Sequence, residues 1–193
     1  MNIVPIGIDC RITDLLRNNR YRKKAYPFGW CLTFNGITEI VSDKFCKFDN
    51  IDNKLNRKYN IGLPHYLGPE VNDKLKIRCD RFMKLLIGNE PVVFIRKGHS
   101  CHHHKESNQF NFNLKCDIQD MIEFSKLLKK DYKNLNYKII LILGCDKCYN
   151  PNIDYNDINN EDITIYNLAL PKMDHEKFND KFNEIKKTFF LDL

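Results

Sequence analysis

The feature that most constrains this chain is the run Tyr137–Leu143, YKIILIL, apolar at every position after Lys138 and stopped by Gly144. A strand with one wet face alternates apolar and polar residues, so a run this uniform must be covered on both faces. Pro91–Ile95 is a second short apolar run, ended by Lys97–Gly98, and Ile163–Leu168 is a further strand. The opening run Ile3–Ile8 reads as another buried strand, with Pro5 tolerable if the strand starts late or bulges. Between these lie segments with a helical period. Ile12, Leu15 and Leu16 follow Cys10. Val71, Leu75, Phe82, Leu85 and Leu86 recur through Glu70–Ile87, with Gly88–Asn89 as the expected C-cap. Ile118–Leu128 stands behind Asp117 as N-cap, and Phe178, Phe182 and Ile185 share one side of Asp174–Lys187. Buried strands alternating with amphipathic helices predict an α/β fold: a single three-layer domain over residues 1–193, mainly a parallel sheet with helices on both faces.

The connecting segments are less regular. Ala25–Trp30 is aromatic and, with Pro27 and Gly29, resists a helix assignment. Ile37–Val41 suggests one or two helical turns and Phe45–Phe48 a short extended piece. Asn50–Asn60 and Gly62–Pro69 read as loops, the first exposed. His99–Asn113 is a polar, histidine-rich loop, and Tyr149–Asn160 is rich in Asn and Asp.

Composition excludes several classes of function. With 42% hydrophobic residues the chain can build a core, so a disordered chain is not expected. The formal net charge of +6 comes with no long Lys/Arg block and no basic-aromatic repeat, which argues against a specific nucleic-acid binder. No apolar run approaches the length needed to span a bilayer. The opening MNIVPIGIDC lacks a basic n-region and a small-residue cleavage site, so no signal peptide and no membrane partner are expected. The 8 cysteines are therefore read as free thiols of a cytoplasmic protein rather than as disulfides.

In parallel sheets, ligands sit beyond the carboxyl ends of the strands. Asp9 and Cys10 follow the first strand. His99, Cys101 and His102–His104 follow the second, and Cys145, Asp146 and Cys148 follow Tyr137–Leu143. Cys10 is the most suggestive thiol: a strand-to-helix turn puts it near the positive end of a helix, which favours the thiolate. Backbone N–H groups at Cys10 and Arg11 could hold an oxyanion there. A thiolate nucleophile needs an imidazole partner, and the candidates are His65, set among Leu63, Pro64, Tyr66 and Leu67, His99, just past a strand end, the run His102–His104, and His175 on the last helix. Asp9 or Asp146 could orient that imidazole. The rival constellation is a zinc site from His99, Cys101, Cys145 and Cys148, whose CxxC spacing suits a Cys/His cluster if the two strands are neighbours. Cys31, Cys46, Cys79 and Cys116 are read as core filler.

Ile6-Gly7-Ile8-Asp9-Cys10, followed by a short helix, a basic patch and Tyr26-Pro27-Phe28-Gly29-Trp30, resembles a family of papain-like cysteine peptidases known from viral and bacterial proteins. That family pairs an LGxxC strand end with a PFDW motif some twenty residues on, then a Pro-His pair and an apolar strand ending in Arg. Pro64-His65 and Val92–Arg96 follow in that order, so the likeness covers about the first half of the chain. The resemblance implies Cys10 as nucleophile and His65 as first-choice base, with Phe28 and Trp30 shaping the pocket floor. Gly29 stands where the family usually has Asp. It also implies an alternative fold, a papain-like α+β arrangement with the nucleophile's helix packed on an antiparallel sheet that carries the histidine. The resulting expectation is a thiol hydrolase acting on a peptide or protein substrate without a cofactor, in a host cytoplasm if the source is a virus. A non-enzymatic binder of a host protein or small ligand, and a zinc-stabilised module, are the other two expectations.

Overall fold

The computed structural model describes residues 1–8, 10–33, 37–48, 55–56, 59, 61–65, 68, 70–98, 117–144, 158, 161–168 and 174–189. Its centre is a sheet of four parallel strands in the order β1 (Asn2–Pro5), β5 (Val92–Lys97), β6 (Tyr137–Leu143), β7 (Ile163–Asn167). The register runs Val4 opposite Phe94, Phe94 opposite Ile139, and Ile139 opposite Ile163. A small antiparallel sheet, β2 (Leu32–Thr33), β4 (Ile61–Gly62) and β3 (Leu55–Asn56), lies outside it.

The central strands are apolar on both sides because both sides are covered. Val4, Phe94, Ile139, Leu141 and Ile163 pack into one core with α2 (Thr38–Ser42), α3 (Val71–Leu86) and α4 (Asp117–Asp131). Ile3, Val93, Ile95, Ile140 and Ile142 face the opposite way, onto Ile12 and Leu16 of α1 (Arg11–Asn18) and Phe178, Phe182 and Ile185 of α5 (His175–Phe189). Successive strand residues thus serve two cores, as the period of two requires. The chain is a single α/β domain of three layers, and the papain-like α+β alternative does not describe it. Pro5 sits on β1, whose one strand partner among the described residues is β5, so its missing N–H costs no ladder bond.

One buried charge organises the carboxyl end of the sheet. Arg96 has no exposed surface, yet its Nε donates to Asp117 Oδ1 at 2.6 Å, its Nη1 to the Ile6 carbonyl at 2.8 Å, and its Nη2 to the Thr33 carbonyl at 3.2 Å. A buried guanidinium is tolerable only when paired and hydrogen-bonded in this way. One turn on, Asp120 accepts from Ile37 N at 2.9 Å and from Thr38 Oγ1 at 2.7 Å, which fastens the start of α2 to α4.

Several local expectations are corrected. The second strand extends through Arg96 and Lys97 because Asp117 and the ring of Phe178, 5.8 Å from Lys97 Nζ, accommodate the two charges. Asp117 lies inside α4 with its carboxylate on Arg96, rather than capping the helix. Phe45–Phe48 is not extended: after α2 the chain keeps turning, with Phe45 N donating to the Ile40 carbonyl and Phe48 N to that of Phe45. Phe45, at φ +62°, thereby reaches the rings of Phe28 and Phe82. Asn50–Asn60 is not wholly an exposed loop, since Leu55–Asn56 pairs with β4 and Tyr59 is buried with its hydroxyl on Asp43. Gly88 follows the C-cap Ile87 without a left-handed backbone.

Replacing Arg96 by Met leaves the Asp117 carboxylate buried without its guanidinium, which is expected to cost about 3–5 kcal/mol. Urea denaturation measures it. The double variant Arg96→Met/Asp117→Leu should recover most of the loss, whereas a single-variant loss below about 1 kcal/mol would show that the pair does not hold the sheet edge.

Candidate functional site

The strand-to-helix turn after β1 is shaped by what lies beneath it. Gly7 has φ +88°, and a Cβ there would stand 1.8 Å from Thr33 Oγ1 and 3.0 Å from Arg96 Nη1. Only glycine lets the chain pass this close to the Arg96 cluster. Cys10 then takes the N-cap position of α1, half-buried, with its carbonyl accepting Asp14 N at 2.9 Å. From Cys10, the positions i+4 and i+7 are Asp14 and Arg17, so the thiol residue heads a stripe on one face of α1.

Asp14 and Arg17 line a cleft of about 700 Å³, together with Trp30, His65, and Val71, Lys74 and Arg78 of α3. It lies where α1 and α3, from opposite layers, meet around the 3-10 turn Pro27–Trp30 beside the edge strand β1. That turn is fixed from both sides. Thr13 Oγ1 of α1 donates to the Gly29 carbonyl, and Phe28 is fully buried against Phe45 and Phe82. A Cβ on Gly29 would be 3.2 Å from Thr13 Oγ1, so glycine suits the close packing of the turn on α1.

Trp30 is the hub of the cleft. The His65 ring meets it edge-on at 5.2 Å between centroids, and the guanidinium carbons of Arg17 and Arg22 lie 5.5 and 5.4 Å from the ring centre. Both are within the range of cation–π attraction. Arg22 reaches the ring because α1 ends in a tight reversal: Arg20 has φ +62°, and Tyr21 N and Arg22 N both donate to the Leu16 carbonyl. Arg17 is also paired with Asp14 at 3.2 Å, and Lys74 with Glu70 at 2.9 Å. These are exposed pairs of small energetic worth, open to exchange for another anion. Lys74 draws the Glu70 carboxyl below its ordinary range.

The residues singled out in the sequence separate. Cys10 lies at the turn, and His65 and Trp30 lie together in the cleft. Phe28 is closed within the core, so it shapes the cleft only through the turn it anchors. Arg11 is directed elsewhere, its Nη2 donating to Asn179 Oδ1 of α5 at 2.8 Å. Asp9, His99, Cys101, Cys145, Asp146 and Cys148 lie outside the described residues, as does Cys116. The strands that lead to His99 and Cys145 are adjacent and parallel, and Gly98 N donates to the Ile142 carbonyl at 2.8 Å. Among the described residues, no group of three or more His, Cys, Asp or Glu side chains could hold a metal ion. Among them too, no helix is long and apolar enough to cross a membrane.

Sequence reading did not single out Asp14, Arg17, Lys74 and Arg78. The signal was present as helical spacing: Asp14 and Arg17 at i, i+3 on α1, and Val71, Lys74 and Arg78 at i, i+3, i+7 on α3. Nor did it give the net charge any local meaning, whereas three cations of the chain converge on this one cleft.

A scan against protein-family models matches none, and searches of curated proteins and of solved structures find no match.

Cys10, Cys31, Cys46 and Cys79 are thiols rather than disulfides and differ in access. Burial pushes Cys79 up to about 12, and raises Cys31 further with Cys79 nearby. Cys46, expected as core filler, is exposed instead. Native alkylation at pH 8 with peptide mapping should therefore modify Cys10 and Cys46 within minutes and spare Cys31 and Cys79 until denaturant is added. Early modification of Cys31 would contradict the packing described.

Proposed function

We propose that the chain is a cysteine-dependent hydrolase in which Cys10 is the nucleophile and His65 the base. The observation that carries this reading is the position of Cys10: a half-buried thiol residue at the N-cap of α1, heading the face of the helix that forms a wall of the His65 cleft. The first-turn N–H groups and the helix dipole favour a thiolate at such a position. The resemblance of the first half of the chain to papain-like cysteine peptidases supports the same assignment. A papain-like fold does not, because the layers here are those of a parallel α/β sheet.

The chemistry divides among the chain's own groups. The Cys10 thiolate attacks a carbonyl carbon, forming the C–S bond while the carbonyl π electrons move onto oxygen. Backbone N–H groups at the start of α1 stabilise that oxyanion. As the tetrahedral adduct collapses, the leaving group departs with the proton carried by the His65 imidazolium. Neutral His65 then takes a proton from water, which attacks the thioester and frees Cys10. Trp30 limits how the His65 ring can turn, through their edge-on contact.

A second reading, a non-enzymatic binding protein, is favoured by a different observation: the described lining of the cleft contains no thiol. Labelling separates the two. A thiol-directed acyl or vinyl probe should mark the native protein at Cys10 and leave Cys10→Ala unlabelled. His65→Ala should slow labelling by about 10²–10⁴-fold. Labelling of Cys10 that is indifferent to His65 would remove the base assignment, and undiminished labelling of Cys10→Ala would remove the enzyme reading.

A further inference from the structure

We propose that the Trp30 cleft binds an organic polyanion, a molecule carrying at least two oxyanion charges as phosphate or carboxylate groups. As the substrate class of the hydrolase this rests on the reading above, whereas as a binding site it rests on the cleft alone. Three observations support it. The lining carries Arg17, Lys74 and Arg78, with Asp14 on Arg17 and Glu70 on Lys74, so the cations still outnumber the carboxylates that pair with them. Those cations come from two helices of opposite layers, so they face a shared space rather than lying along one solvated helix face. The volume, about 700 Å³, suits a small organic molecule rather than a bare ion.

The cation–π contacts determine how the cleft reads charge. Arg17 and Arg22 lie over the Trp30 ring, a contact that holds planar guanidinium groups beside the cleft, and a guanidinium is the side chain suited to bidentate contact with phosphate or carboxylate. Asp14 engages one edge of Arg17 at 3.2 Å, in a solvent-accessible i, i+3 pair that an incoming oxyanion can displace. Glu70 occupies Lys74 through an exposed pair that an incoming oxyanion can displace. Val71, buried at the base of the α3 wall, supplies an apolar patch for the carbon framework between two acidic groups.

The chain has a single tryptophan, and it is Trp30, so intrinsic fluorescence reports on this cleft alone. The test titrates the full-length Cys10→Ala protein, which binds without turnover, with inorganic pyrophosphate in one arm and tricarballylate in the other. Ionic strength is held constant with chloride, and each titration is repeated by calorimetry. A saturable change in either arm is expected, the stronger arm identifying phosphate or carboxylate as the preferred group. Arg78→Gln and Lys74→Gln should each raise the Kd about tenfold. Lys130→Gln, on exposed α4 surface, should leave it unchanged. Absence of saturable binding by both methods, or affinities indifferent to Arg78→Gln and Lys74→Gln, overturns the proposal. Failure of Cys10 labelling with anion binding intact removes the hydrolase but not this site, and labelling without anion binding does the reverse.

Discussion

The ion pair between Arg96 and Asp117 is the interaction on which the functional end of the molecule depends. A guanidinium with no exposed surface forfeits its hydration, and its stability in place requires partners for its N–H groups. Those partners come from three parts of the chain other than β5, which carries Arg96: Asp117 opening α4, the Ile6 carbonyl just past β1, and Thr33 in β2. The cluster therefore joins the central sheet to the small antiparallel sheet. It also sets the floor beneath Gly7, so the turn that delivers Cys10 is held against a charge network rather than apolar packing. A network of this kind contributes orientation more than stability, since apolar groups of the same volume would cost less to bury.

From that floor the site is assembled outward by two helix faces and one short turn. The turn Pro27–Trp30 is wedged by the fully buried Phe28 among Phe45 and Phe82, leaving Trp30 half-exposed at its end. Trp30 then gathers His65, Arg17 and Arg22 by quadrupole interactions with an imidazole edge and two cations. A single aromatic ring thus connects the proposed base to the proposed anion-recognising groups. Cys10 belongs to the same helix face as Asp14 and Arg17, and a rigid one-turn spacing relates the thiol residue to the cleft wall.

How much of this was legible depended on the range of the interaction concerned. The long helices and the buried strands follow from periodicity, because an apolar run or an i, i+3, i+4 stripe carries its own instruction about burial. Phe45 reads as extended from its neighbours alone, whereas its side chain serves a distant cluster of Phe28 and Phe82 and its backbone follows. Asp117 looked like an N-cap for its position ahead of an apolar stripe, and only the approach of β5 gives its carboxylate to Arg96. The Arg11 side chain is directed by Asn179, on a helix at the other end of the chain, a partner that no local pattern announces.

The sequence by itself determined that the chain forms one α/β domain, since strands apolar on both sides can be satisfied only between two layers of helices. It also determined that a strand ends ahead of Cys10 and a helix opens at it, because the helical stripe begins just after that residue. Tertiary structure alone decided that Arg96 is buried, that Trp30 has His65 and two guanidinia around it, and that basic residues from two helices share one cleft. The physical reason is one of range. Burial of an apolar face is specified by residues a turn or two apart, whereas charges and aromatic rings take their meaning from partners that only the packing of separate layers brings within a few ångströms.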